Sequence, residues 1–139
     1  MAVLTERAIK QGSLCVVGNL NRDINTSPLQ PGAYLFRDGE TSLSSVAETV
    51  GGGGANSAFT AAALGATVTF LGRLGSDSLG DRLERTLKRH GITSRLARSK
   101  VQPSGTTLAL SYKNGHRHFL SRLPSCEGLT FQDLDLKAM

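Results

Sequence analysis

The chain has no tryptophan, two tyrosines and five phenylalanines among its 139 residues. A stacking platform for single-stranded nucleic acid needs exposed aromatic rings, and this supply is too thin to build one. Cysteine is equally scarce. Cys15 and Cys126 stand far apart, with no Cys-x-x-Cys and no Cys/His spacing that suits a metal, so neither a disulfide framework nor a zinc site is indicated. Both read as reduced thiols of a cytosolic protein. No apolar run approaches the roughly 20 residues of a membrane helix. The opening MAVLTERAIKQG has neither an apolar core nor a small-residue cleavage site, so no signal peptide is predicted.

What remains is globular composition, 39% hydrophobic and 19% charged, at a length that suits one domain with a real core. Lysine and arginine outnumber aspartate and glutamate by 16 to 11, which makes an anionic partner worth weighing. Much of the excess falls in Arg82, Arg85, Lys88, Arg89, Arg95, Arg98 and Lys100, interleaved with Asp81 and Glu84, on what reads as an amphipathic helix and its exit. No DNA- or RNA-binding motif accompanies these residues, so the reading is a solvated helix face and not a nucleic-acid footprint.

Residues 14–20, LCVVGNL, form an apolar run without helical period and predict a buried strand of a parallel sheet, ending at polar Asn21-Arg22-Asp23. From Ser27 to Thr49, Pro28, Pro31, Gly32 and Gly39 predict a loop followed by short strands. Gly51-Gly52-Gly53-Gly54 then opens a helix expected over 57–64 with Gly65 as its stop. Thr67 to Gly72 reads as a second core strand. Leu79, Leu83 and Leu87 recur every four residues after Asp77, with Glu84 and Lys88 set for an i,i+4 pair and Gly91 beyond the last turn, which predicts a helix. Thr107 to Lys113 alternates, and Asn114-Gly115 predicts a two-residue hairpin loop into His116 to Ser121. The order describes an α/β layered fold with an attached antiparallel element.

Two places can bear chemistry. Glycines let the backbone approach a ligand closely, and the helix N-terminus behind them offers N–H groups to a ligand oxygen. The same glycines also serve tight helix–strand packing, and Asn56 stands where a dinucleotide fingerprint requires its third glycine. Asn21-x-Asp23 lies at the carboxyl end of the first strand, the edge where open α/β sheets hold ligands. Ionised Asp23 can accept two hydroxyl donors and Asn21 can donate and accept, while the plainer reading is an Asx turn or a cap. His116 and His118 share one face of the hairpin but lack a third ligand, and Cys126 has nothing nearby to activate it.

Taken in order, Val17-Gly18-Asn19-Leu20-Asn21-Arg22-Asp23, Gly39-Glu40-Thr41, Gly51-Gly52-Gly53-Gly54-Ala55-Asn56-Ser57-Ala58, Leu71-Gly72-Arg73-Leu74-Gly75-Ser76-Asp77, Gly80 and Ser104-Gly105-Thr106-Thr107 resemble the N-terminal half of the ribokinase-like (PfkB) carbohydrate kinases. The resemblance spans nearly the whole chain. It implies a three-layer, Rossmann-like α/β sheet with a small antiparallel β lid, the lid strands falling at about 32–49 and 105–121, and residues 1–139 forming the acceptor-binding part of a truncated domain. It also implies that Asn21, Asp23, Gly52, Gly53 and Asn56 bind a sugar or nucleoside, that ATP and Mg²⁺ are the cofactors, and that lid strands make a homodimer.

Two departures bear on the substrate. Gly53 stands where ribokinases resemble one another in carrying lysine, and Cys126-Glu127 stands near a Gly-Ala-Asn segment of many relatives. The later half, with its glycine-rich turn, catalytic base and nucleotide site, has no counterpart before Met139. The chain therefore reads as a fragment with no catalytic residue of its own and with an unpaired sheet edge. The alternative reading is a non-catalytic sugar- or nucleoside-binding module.

Overall fold

The computed structural model describes residues 12–134 and contains two sheets. The first is parallel, in the order β1 (Ser13–Val17), β4 (Thr67–Gly75), β5 (Thr93–Ser99). The second is mixed, in the order β3 (Val46–Gly51), β2 (Asn21–Thr26), β6 (Gly105–Ser111), β7 (Arg117–Arg122), with β2 parallel to β6 and the outer pairs antiparallel.

Helices α1 (Gly53–Ala63) and α2 (Ser78–Arg89) carry the chain across the first sheet in one direction, β1 to β4 to β5, and right-handed crossovers lay both on one face. That face is the core: Val68, Phe70 and Leu74 of β4 meet Ala55, Ala58, Leu83 and Leu87, all nearly inaccessible to solvent. Burial of each valine, leucine or phenylalanine among them contributes about 1.5–3 kcal/mol. The short α3 (Pro124–Glu127) lies on the opposite face, where the Arg73 guanidinium of β4 donates to the Gly128 carbonyl. Three layers of an α/β fold result. Among the described residues β1 is an edge strand, with Leu14 and Val17 at 43% and 47% exposure.

The α2 expectation matches the structure in detail. Asp77 accepts the Gly80 N–H at 2.7 Å as N-cap, Lys88 pairs with Glu84 at 2.8 Å, and Leu83 and Leu87 are buried. Other elements differ. The run 14–20 does not continue as one strand: β1 ends at Val17, and after Gly18-Asn19-Leu20 the chain enters the second sheet as β2. Asn21-Arg22-Asp23 extends as a strand because β3 and β6 satisfy its backbone on both sides. Over 27–45 the chain is irregular apart from a single bridge from Leu29 to Tyr112 and a 3₁₀ turn at Ala33–Phe36, so strand structure in the expected 32–49 stretch is confined to β3. The glycine-loop helix starts at Gly53, because its first donors find partners outside the local sequence.

Arg95 and Arg98, read as part of the helix and its exit, lie in β5. Arg98 is no solvated charge: it bonds the Gly75 carbonyl at 2.9 Å and Asp81 at 3.2 Å, and it also pairs with Glu84. The hairpin loop holds three residues. Ser111 opposes Arg117, Tyr112 N–H donates to the His116 carbonyl at 2.9 Å, and Gly115 takes φ +86°, the geometry of a turn closed by a left-handed residue.

Candidate functional site

The connection from β1 to β2 meets the glycine run, and this junction builds the site. Asn19 caps α1 from outside: its side-chain oxygen accepts the Gly54 N–H at 3.3 Å and its carbonyl accepts the Ala55 N–H at 3.1 Å. Two N–H groups that the sequence reading offered to a ligand are therefore already bonded. Gly52, the N-cap, takes φ +105°, and a Cβ there would lie 2.4 Å from the Asn19 carbonyl oxygen and 2.9 Å from Asn21 Oδ1. Gly54 touches Gly18 backbone to backbone, with a Cβ on Gly54 falling 2.8 Å from Gly18 Cα.

On β2, alternate side chains point to opposite faces. Asn21 and Asp23 share one face with Gly51 and Thr49 of β3 and with Gly105 and Thr107 of β6. Asn21 is buried, and its amide donates to Asp23 Oδ1 at 2.6 Å and to Thr107 Oγ1 at 3.3 Å. Thr107 in turn meets Ser121 Oγ of β7 at 3.0 Å. The Asp23 carboxylate lies over Gly51, where a Cβ would fall 2.1 Å from it. Burial pushes the Asp23 carboxyl above its ordinary value, against the opposing pull of the Asn21 amide. The arrangement is a half-buried carboxylate aimed by an amide across a floor of glycine and hydroxyl side chains. Such a surface accepts O–H donors.

Of the sequence-derived residues, Asn21, Asp23 and Gly52 come together here. Gly53 and Asn56 sit in the first turn of α1 with exposed side chains or backbone. Asn19, Thr107 and Ser121 escaped sequence reasoning, and Gly51 entered only as one of the glycine run: Thr107 joins Asn21 only through the β2–β6 pairing, 86 residues apart. His116 and His118 are exposed on the hairpin, and the described residues contain no group of three His, Cys, Asp or Glu placed to hold a metal. Cys126 Sγ contacts the Leu20 carbonyl at 3.5 Å, behind the site.

The family model for pfkB family carbohydrate kinases matches residues 11–138. The chain belongs to this family. Against the ribokinase of Bacillus subtilis (strain 168) it is 40% identical over 82 residues, 58% of this chain and 26% of that protein. Among solved structures, fructokinase from Xylella fastidiosa superposes with a TM-score of 0.72 at 21% identity, covering 92% of this chain and 39% of the other. A ribokinase from Cryptococcus neoformans var. grubii serotype A, in complex with ADP, superposes at 0.65 with 28% identity, covering 80% and 35%. The pfkB chain described here thus spans well under half the length of these relatives. The fold is that of the ribokinase-like kinases, truncated relative to them. Its glycine junction and Asn21–Asp23 pair fall inside the matched residues.

Proposed function

We propose that the complete protein transfers a phosphoryl group from ATP to a hydroxyl of a sugar or nucleoside, and that this chain supplies the acceptor pocket and its lid. The observation that carries this reading is the Asn21–Asp23 pair held over Gly51 on one face of the second sheet. Asp23 accepts hydroxyl donors and Asn21 fixes its carboxylate in place. The Gly52 backbone, Gly53 and Asn56 flank the acceptor from α1. Closing β2, β3, β6 and β7 over it excludes the water that would otherwise compete as acceptor.

ATP and Mg²⁺ belong to the complete enzyme in this reading. Among the described residues no acidic cluster fits a metal ion, so no step is drawn through one, and no catalytic base is assigned to this chain. Phosphoryl transfer relies on positioning and charge neutralisation, so the chain alone is expected not to turn over ATP. The reading also includes cytoplasmic residence and a homodimer through the lid. Val46 and Leu120, 55% and 54% exposed on the sheet face turned away from Asp23, support the latter.

Calorimetric titration with pentoses, hexoses and nucleosides tests the acceptor site. One hydroxyl pattern should bind, and Asp23→Ala should weaken it at least tenfold. Binding unaffected by Asp23→Ala would overturn the assignment. Sugar-dependent ADP release by this chain would overturn its inactivity.

A further inference from the structure

Arg22 stands between Asn21 and Asp23 but points to the opposite face of β2, toward α2. There a cavity of about 280 Å³ is lined by Arg22, Glu48, Thr49, Arg82, Thr86 and Arg89, with Leu79 and Leu83 as its apolar floor. Glu48 is its single carboxylate, 3.4 Å from Arg22 and 3.6 Å from Arg82. Three guanidinium groups against one carboxylate leave the cavity electropositive. The Arg22 Nη2 donates to Thr106 Oγ1 at 3.3 Å, yet its Nε–H is buried with no acceptor. A buried donor without a partner costs about 1–3 kcal/mol, so the Arg22 guanidinium keeps unsatisfied hydrogen-bonding capacity beside the cavity. Arg82 and Arg89 continue onto an open shelf with Arg85 and Lys88, which raises the local concentration of anions.

We propose that this cavity is a binding site for a phosphate dianion, free or as the head of a small phosphomonoester, separate from the acceptor face and independent of the function proposed above. Guanidinium forks match phosphate oxygens in pairs. Arg82 and Arg89 close on the anion from α2, the Arg22 guanidinium faces it from β2, and the Thr86 hydroxyl stands beside them. The volume, about 280 Å³, falls just below the roughly 300–1,000 Å³ of drug-sized ligand pockets, which suits a phosphate with a short organic tail better than a nucleotide.

The test titrates the 139-residue chain with inorganic phosphate and, separately, with glycerol phosphate, following arginine Nε–H resonances by NMR at an ionic strength matched with chloride. Saturable movement of the Arg22 Nε–H with either ligand is expected, and the tighter of the two identifies the source. Arg82→Gln/Arg89→Gln, both at exposed positions, should weaken binding at least tenfold, while Lys113→Gln on the hairpin tip changes it less than twofold. Glu48→Gln removes the internal competitor for Arg22 and Arg82 and should tighten binding about threefold. A non-saturating response equal to that of chloride overturns the site, as does undiminished binding in the double variant or weaker binding in Glu48→Gln.

Discussion

Val68, Phe70, Leu71 and Leu74 of β4 are each at 1% exposure or less, whereas β7 is exposed along its whole length. The parallel sheet is held by apolar burial against α1 and α2. The mixed sheet is held by strand pairing and polar cross-links: Asn21 to Thr107, Thr107 to Ser121, Asn25 to Thr49 at 2.9 Å, and Arg22 to Glu48. Its candidate site lies beside the junction where Asn19 and Gly18 pack tightly against the glycine run. The contrast teaches that one sheet carries stability and the other presents chemistry, so damage to each should read out differently.

The widest separation comes from a core truncation. Phe70→Ala should cost about 3–5 kcal/mol, enough to lower the chemical-denaturation midpoint sharply or abolish the transition. If it does not, the parallel sheet is not the stabilising one. Gly51→Ala attacks the other sheet. Its new methyl group would fall 2.1 Å from the Asp23 carboxylate, a side-chain end that must move off Gly51 and away from its Asn21 bond. The fold should survive while acceptor affinity falls about tenfold, or about 1.4 kcal/mol, by calorimetry. Unfolding in step with the loss of affinity would erase the distinction.

Asp23 sharpens it through pH. Burial raises its pKa above the ordinary 3.8, so the folded chain favours the protonated carboxyl, and ionisation costs stability as pH rises through the raised value. Hydroxyl donors need the ionised form. Acceptor binding should therefore weaken on acidification at a pH above 3.8, and Asp23→Asn should remove that dependence.

Asp77 behaves in the opposite sense. Burial pushes its carboxyl up, but the Ser104 and Gly80 N–H groups, the Ser104 hydroxyl and the Arg98 charge outweigh that and hold it below 3.8. Its contribution is present above the unfolded value and lost as pH falls through the lowered folded one. Asp77→Ala should cost about 1 kcal/mol through the lost cap, a difference that shrinks in acid. The smallest effect belongs to the lid: Leu120→Ala, more than half exposed, should change monomer stability by less than about 0.5 kcal/mol. A larger loss that grows with protein concentration would point to the lid-mediated dimer.

Much of this was legible before the fold was seen, and the reason is local. A leucine every fourth residue, an aspartate cap, a β-branched run and Asn-Gly each act within one or two turns of chain, so α2, β4 and the hairpin followed from neighbouring residues alone. The glycine run and Asn-x-Asp were visible as residue types for the same reason. Tertiary structure decided what those types do. Whether the run after Ser13 was one strand or two depended on Gly18 meeting Gly54, and β5 was hidden because Arg95 and Arg98 break its apolar alternation while Arg98 finds partners on α2. The Asn19 cap and the Asn21–Asp23–Thr107–Ser121 constellation depend on strands that are distant in sequence and pair only in the folded chain. Residue chemistry was set along the chain, but the geometry that makes a site of it came from long-range pairing, which no local pattern encodes.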